Sequence, residues 1–172
     1  MRYLAVATLT FAGLALAAPV ISPLAPSDEE GLRKAAMELK QAIVQEDVQG
    51  ILRRVSRSEG LTCTDSRISY RQVKKDLHNK NSHLYMSLFD SARFAKRCGK
   101  EYPPDYPAIS DKEFFTAARN EVIEISPTGK GWAQVVFKSN IKGHYPREWV
   151  FRKEGEQWRA TDGFIVSRCS CG

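Results

Sequence analysis

The stretch 119–165 limits the choice of fold more than any other part of this chain. It holds all three tryptophans, Trp132, Trp149 and Trp158, in runs that alternate apolar with polar residues. Residues 120–125 are short and rich in Val and Ile, and 132–139 place Ala133, Val135 and Phe137 on one face. Residues 145–152 and 157–165 follow, joined by Lys153-Glu154-Gly155-Glu156. A short Gly-containing connection between two alternating runs predicts a hairpin. Ser126-Pro127-Thr128-Gly129-Lys130-Gly131 reads as a turn by composition. The result expected is a curved antiparallel sheet of about four strands with one face buried.

The start of the chain sets the expected compartment. Arg2 precedes an apolar run over 4–16, and Ala15-Leu16-Ala17 supplies small residues at a cleavage point. This is the pattern of a secretory signal peptide over 1–17. Pro19, Pro23 and Pro26 interrupt the run before the roughly 20 apolar residues that a transmembrane anchor needs. Residues 18–26 read as a Pro-rich leader without regular structure. Residues 27–172 read as one α+β domain with a cysteine-containing tail, a length that suits a single core. The location expected is periplasmic or secreted.

Charge excludes one class of partner. Lys and Arg number 26 against 20 Asp and Glu, for a net charge of +6. The basic pairs Arg53-Arg54, Lys74-Lys75 and Lys96-Arg97 stand apart with acids between them, and no dense basic stripe with interleaved aromatics marks a nucleic-acid surface. The surplus reads as a solvated face that favours anionic envelope surfaces.

Cys63, Cys98, Cys169 and Cys171 are an even set in an exported chain, which favours disulfides, with three pairings open. Bonding Cys169 and Cys171 each to a distant partner is easier than closing a ring over Ser170, so the tail is expected to be stapled to the loops of Cys63 and Cys98. Zinc is the sharper alternative, but Cys-x-Cys with two distant cysteines is poor zinc spacing, and no metal or other cofactor is expected.

Upstream of the sheet the pattern is helical. Ser27-x-x-Glu30 reads as a capping box, followed by Leu32, Ala35, Ala36, Leu39, Ala42 and Ile43 at helical spacing, and then by Ile51, Leu52 and Val55. Glu46-Asp47 with Gly50 breaks this into two helices, and Gly60 ends the second. A second box, Ser69-x-x-Gln72, opens a helix carrying Tyr70, Val73, Leu77, Leu84 and Leu88, weakened around Asn79-Lys80-Asn81-Ser82. A loop is expected over 92–108. A third box, Ser110-x-x-Glu113, starts a short helix that delivers the chain to the sheet. Helices first and an antiparallel meander afterwards make an α+β fold, with the N-terminal helices as the partner for the sheet.

At this point the residues resemble a family. The helical start ending in Glu46-Asp47-Val48-x-Gly50-Ile51-Leu52, with the closing hairpin Glu148-Trp149-Val150-Phe151-Arg152 and Gln157-Trp158-Arg159-Ala160-Thr161-Asp162, looks like the nuclear-transport-factor-2-like (SnoaL-like) superfamily over residues 28–166. The resemblance implies a strongly bent sheet wrapped around helices as a cone with an apolar pocket. It also implies a carboxylate, histidine or tyrosine inside that cone for acid–base work in the enzymes, and a homodimer through the outer face of the sheet. The Cys98 loop and the cysteine tail depart from the usual pattern.

Parity then nominates site residues. Trp158, Ala160, Asp162 and Phe164 share a face, and Asp162 beside Trp158 in an apolar cavity would have the raised pKa of a general acid or base. The plainer reading makes Asp162-Gly163 a turn with its carboxylate in water. Tyr145, Arg147, Trp149 and Phe151 share a face of the preceding strand, where Tyr145 or Arg147 could hold an anion or a carbonyl oxygen. An Arg there more often lies along the surface. His78 or His83 could pair with Asp90, while His144 reads as a loop residue, and no histidine sits in a metal motif. Trp132, Trp149 and Trp158, with Arg147, are candidates to line a ligand pocket; aromatics on alternating strand positions are more often core.

No nucleophile elbow, phosphate loop or Cys-x-x-Cys pair is present in the sequence. The functional expectation is a non-enzymatic module of the cell envelope, binding a small-molecule or envelope ligand. Its rivals are a small-pocket isomerase or hydrolase using Asp162 with Tyr145 or a histidine, and metal or redox work by Cys169 and Cys171.

Overall fold

The computed structural model describes residues 22–63, 66–101, 108–117, 122–138 and 146–163. The expected signal peptide, Tyr145, His144, Phe164, Cys169 and Cys171 fall outside the described residues. The first helix, α1 (Pro26–Val44), starts on a proline, whose missing N–H costs nothing at a helix start. Asp28 and Glu29 then place negative charge at the positive end of the helix dipole. Ser27 therefore does not cap: the cap position belongs to Ala25, with no side-chain hydrogen bond, and the irregular leader ends one residue earlier than its composition suggests. Leu32, Ala35, Ala36, Leu39, Ala42 and Ile43 form the buried stripe of α1, as their spacing predicts.

Glu46 turns the chain with a φ of 56°. Asp47 then caps α2 (Val48–Arg54) by accepting a 2.9 Å hydrogen bond from the Gly50 N–H. Gly50 does not break the helix but lies buried within it. A Cβ there would sit 2.4 Å from Asp47 Oδ2 and 2.9 Å from Ala42 Cβ, so only glycine lets α2 come this close to α1.

After α2 come the short antiparallel strands β1 (Leu61–Cys63) and β2 (Ser66–Ile68). Next is α3 (Tyr70–Leu77), where Ser69 accepts from the Gln72 N–H as its capping box predicts. The weak middle does break the pattern. Ser82 accepts from the Tyr85 N–H and starts α4 (His83–Phe89). The loop expected over 92–108 is instead helical in its first part, α5 (Ser91–Cys98), ending in a single 3-10 turn over Gly99–Glu101. Asp90 caps α5 by accepting from the Arg93 N–H at 3.0 Å, and Phe94 and Cys98, four apart, form its buried face. Two apolar positions among Arg and Lys are too short a stripe to announce a helix by periodicity. Ser110 accepts from the Glu113 N–H at 3.3 Å and starts α6 (Asp111–Ala117).

The main sheet is antiparallel in the order β3 (Val122–Gly129), β4 (Trp132–Lys138), β5 (Arg147–Glu154), β6 (Gln157–Asp162). The turn predicted over 126–131 shrinks to Lys130 and Gly131, with Gly131 at φ 72°. Pro127 stays in β3 because β3 is an edge, where one absent ladder donor is tolerated, and a bulge follows it before Gly129. Ala133, Val135, Phe137, Trp149, Phe151 and Ala160 share the inner face, with none of their surface exposed.

Helix α6 does more than deliver the chain to the sheet. It lays Phe115 edge-on against Phe137, with ring centroids 5.1 Å apart, and against Trp149 at 5.2 Å. Phe137 and Trp149 meet at 4.7 Å. The sheet thus has α6 as a helical partner beside the N-terminal α1 and α2, where the sequence suggested only the N-terminal helices. The architecture is α+β, and the sheet does not close into a barrel among the described residues.

Inner and outer tryptophans differ accordingly. Trp149→Ala removes a side chain surrounded by packed rings and is expected to cost about 3–5 kcal/mol. Trp132→Ala, on the outward face, is expected to stay within about 1 kcal/mol of the parent. Urea unfolding followed by circular dichroism separates the two, and equal losses would contradict this assignment of faces.

Candidate functional site

The residues nominated from parity do not converge. Trp149 and Trp158 belong to the core, the latter packing beside Gly31 of α1, so neither lines a cleft. Trp132 lies half-buried on the opposite face with the Arg152 guanidinium 5.4 Å above its ring. Arg147 is neither a surface residue nor an anion holder in a cavity. Its Nε donates to Asp111 Oδ1 at 2.8 Å, its Nη2 donates to the Ile109 carbonyl, and its guanidinium lies 4.5 Å from the Phe114 ring. Asp111 has no exposed side-chain surface, and this buried pair ties the start of α6 to β5. Nothing in the sequence singles out Asp111, which is the first residue after a capping serine.

Asp162 leaves the face expected for it because β6 carries a bulge. Val150 pairs with Asp162 but Phe151 pairs with Ala160, so Thr161 is the extra residue. Ala160 and Thr161 both turn inward and are buried, and Asp162 falls opposite Val150 on the outward face. Partial burial still pushes its carboxyl above the usual range, against a hydrogen bond from the Gly163 N–H. Gly163, at φ 98°, lies where a Cβ would meet the Glu148 carbonyl at 1.8 Å, so the Asp-Gly pair closes the strand against β5.

His78 is exposed at the end of α3, its Nδ1 2.7 Å from the Lys74 carbonyl oxygen. His83 packs edge-on against Phe94 with its Nδ1 3.6 Å from Cys98 Sγ, while the carboxylate of Asp90 is used in capping α5. Among the described residues no three His, Cys, Asp or Glu side chains are grouped to hold a metal ion.

What the fold does bring together is arginine. A cleft of about 470 Å³ opens where α1, α2 and the start of β6 meet. Helix α1 supplies Glu38 and Gln41, with Ala42 at their back, and Gln45 follows at its C-cap. Arg53 and Arg54 come from α2, Arg57 from the turn after it, and Gln157 and Arg159 from β6. Three local facts assemble these walls. Gly50 lets the two helices touch, Val55 forms a parallel bridge to Ala160, and the Ser56 N–H donates to the Ala160 carbonyl at 2.8 Å.

The guanidinium groups are held at different strengths. Arg54 pairs with Glu38, and Arg53 lies 3.4 Å from Asp47. Arg159 is clasped from behind: its Nε lies 3.3 Å from Glu154 Oε2, and its Nη2 donates to Gln157 Oε1 at 2.7 Å. Burial pushes the Glu154 carboxyl up, but hydrogen bonds from Ser56 and Ser58 and the charge of Arg159 more than offset it, so it lies below the usual carboxylate range. Arg57 is exposed; its backbone N–H donates to the Glu154 carboxylate, while its guanidinium has no carboxylate partner among the described residues. Four cations against Glu38, Asp47 and the Glu154 behind Arg159 still leave the cleft positive.

A second depression, of about 610 Å³, lies beside Tyr85 and Phe89 and is flanked by the Lys112–Glu46 ion pair at 2.5 Å. Its charges are of both signs and largely matched, so the first cleft is the stronger candidate. The signal for it in the sequence is the local cluster Arg53, Arg54 and Arg57, which reads as scattered charge because Arg159 is brought alongside only by the bridge from Val55 to β6.

Asp162 gives a test of its partial burial. A carboxyl raised in the folded chain binds its proton more tightly there than in the unfolded chain, so stability falls as pH climbs from the ordinary value through the raised one. Asp162→Asn removes that loss and keeps an oxygen for the Gly163 N–H. The variant should be more stable than the parent at pH 7, with the gap closing below about pH 3, under the ordinary Asp value. Thermal melts across pH measure it, and a variant less stable at pH 7 would contradict the burial of this carboxyl.

No family model, curated protein or solved structure matches the chain.

Proposed function

We propose that this chain works outside the cytoplasm as a non-catalytic binding module of the cell envelope, and that its ligand is anionic and enters the arginine-lined cleft. The observation that carries this reading is the gathering of Arg53, Arg54, Arg57 and Arg159 from three elements into one concave surface. Concave sites of some hundreds of cubic ångströms with a few placed polar groups are the usual form of small-ligand sites. The signal-peptide pattern at the start of the chain supports export. The even cysteine count supports disulfides, with Cys98, buried at the end of α5, as one anchor. The likeness to the nuclear-transport-factor-2-like superfamily is part of this proposal, with one departure: here the inner face of the sheet is filled by aromatic rings, so the ligand is taken on the flank.

The rival acid–base enzyme asks for Asp162 within a substrate cavity. The bulge at Thr161 weighs against it, since it turns Asp162 to the outward face.

Immobilised protein incubated with envelope extract is expected to retain an anionic component at low salt and release it as ionic strength rises. Arg53→Gln with Arg57→Gln, both at exposed side chains, should lower retention about tenfold while leaving the melting temperature unchanged. Equal retention by the double variant, or a turnover assay that succeeds where retention fails, would overturn the proposal.

A further inference from the structure

The lining of the arginine cleft is selective in what it offers, and this inference rests on the binding reading above. Ala42 and Gly50 form its back, the methylene stems of the Arg and Gln side chains supply further apolar surface, and there is no aromatic ring and no Leu, Ile, Val or Met among the described lining residues. Such a wall has no aromatic ring to sandwich a base and no continuous hydrocarbon face to cover an acyl chain. Beside the guanidinium groups stand three amides, Gln41, Gln45 and Gln157. Each amide carries both donors and an acceptor, the complement of a hydroxyl, which also does both. The guanidinium fork matches carboxylate and phosphate oxygens two at a time.

Size narrows the choice further. A volume of about 470 Å³ leaves most of the cleft empty around a lone phosphate. The charges are also set in advance: Glu38 holds Arg54, and Glu154 holds Arg159. Arg57 keeps its charge without a carboxylate partner among the described residues.

We propose that the cleft binds an anionic sugar, a saccharide unit bearing a phosphate or a carboxylate. The anion sits against Arg57 and Arg53, and the hydroxyls sit against the amides of Gln41, Gln45 and Gln157. Gly50 is a positioning residue for this site, because a side chain there drives α2 away from α1.

Titration calorimetry on the full chain at low salt tests this with four probes: glucose 6-phosphate, glucuronate, glucose and inorganic phosphate. At least one anionic sugar should bind about tenfold or more tightly than both glucose and inorganic phosphate, the two arms showing which anion is preferred. Arg57→Gln should weaken the anionic sugar about tenfold with the melting temperature unchanged, and Gln41→Ala should weaken the anionic sugar but not inorganic phosphate. Inorganic phosphate binding as tightly as the sugars would reduce the cleft to a point of charge and overturn the proposal, as would glucose binding equally well. If all four probes fail while envelope extract is still retained through Arg53 and Arg57, the ligand class is wrong and the binding reading stands. If that arginine-dependent retention fails too, both fall together.

Discussion

The edge-to-face meeting of Phe115 with Phe137 and Trp149 is the contact on which the rest of the arrangement depends. A four-stranded sheet with one polar face has to cover the other, and rings packed at these spacings add about 0.5–1.5 kcal/mol per pair beyond the area they bury. Because Phe115 comes from α6 and its two partners from adjacent strands, one side chain fixes the helix over the middle of the sheet. The Arg147–Asp111 pair then sets the direction of α6. Taking two charges out of water is expensive, so such a pair is weak evidence of net stability; its value lies in admitting few alternative dockings.

Filling the inner face moves any binding work to the flanks. Helix α1 touches α6, α2 and β6, and the cleft opens along the last two of these contacts. Its cations are carried on short, well-anchored elements. Arg159 belongs to a paired strand, and Arg53 and Arg54 to a helix pinned by Gly50. Less side-chain freedom is lost when such groups meet a ligand, which is the general advantage of groups ordered beforehand.

Much of the fold could be read from the residues. The stripe of α1, the strands around Trp132, Trp149 and Trp158, and the caps at Ser69 and Ser110 all follow local rules that this chain obeys. The misreadings have local physical causes. Pro127 reads as a turn residue until its strand is known to be an edge. Asp162 follows strict alternation until one extra residue, Thr161, reverses it, and a bulge leaves no mark in composition. Helix α5 hides because its apolar face is only Phe94 and Cys98. The cleft was illegible for a different reason: Arg159 lies about 100 residues from Arg53, Arg54 and Arg57 and shares a surface with them through the pairing of residues 55 and 56 with Ala160.

The edge strand carries a consequence of its own. Strand β3 ends the hydrogen-bonded order of the sheet, and such a border invites another chain to add itself, rung by rung. Pro127 withholds one rung, and the bulge that follows takes the next out of step. A newcomer could pair without interruption only along the first half of the strand, so this border is partly closed to edge-to-edge addition.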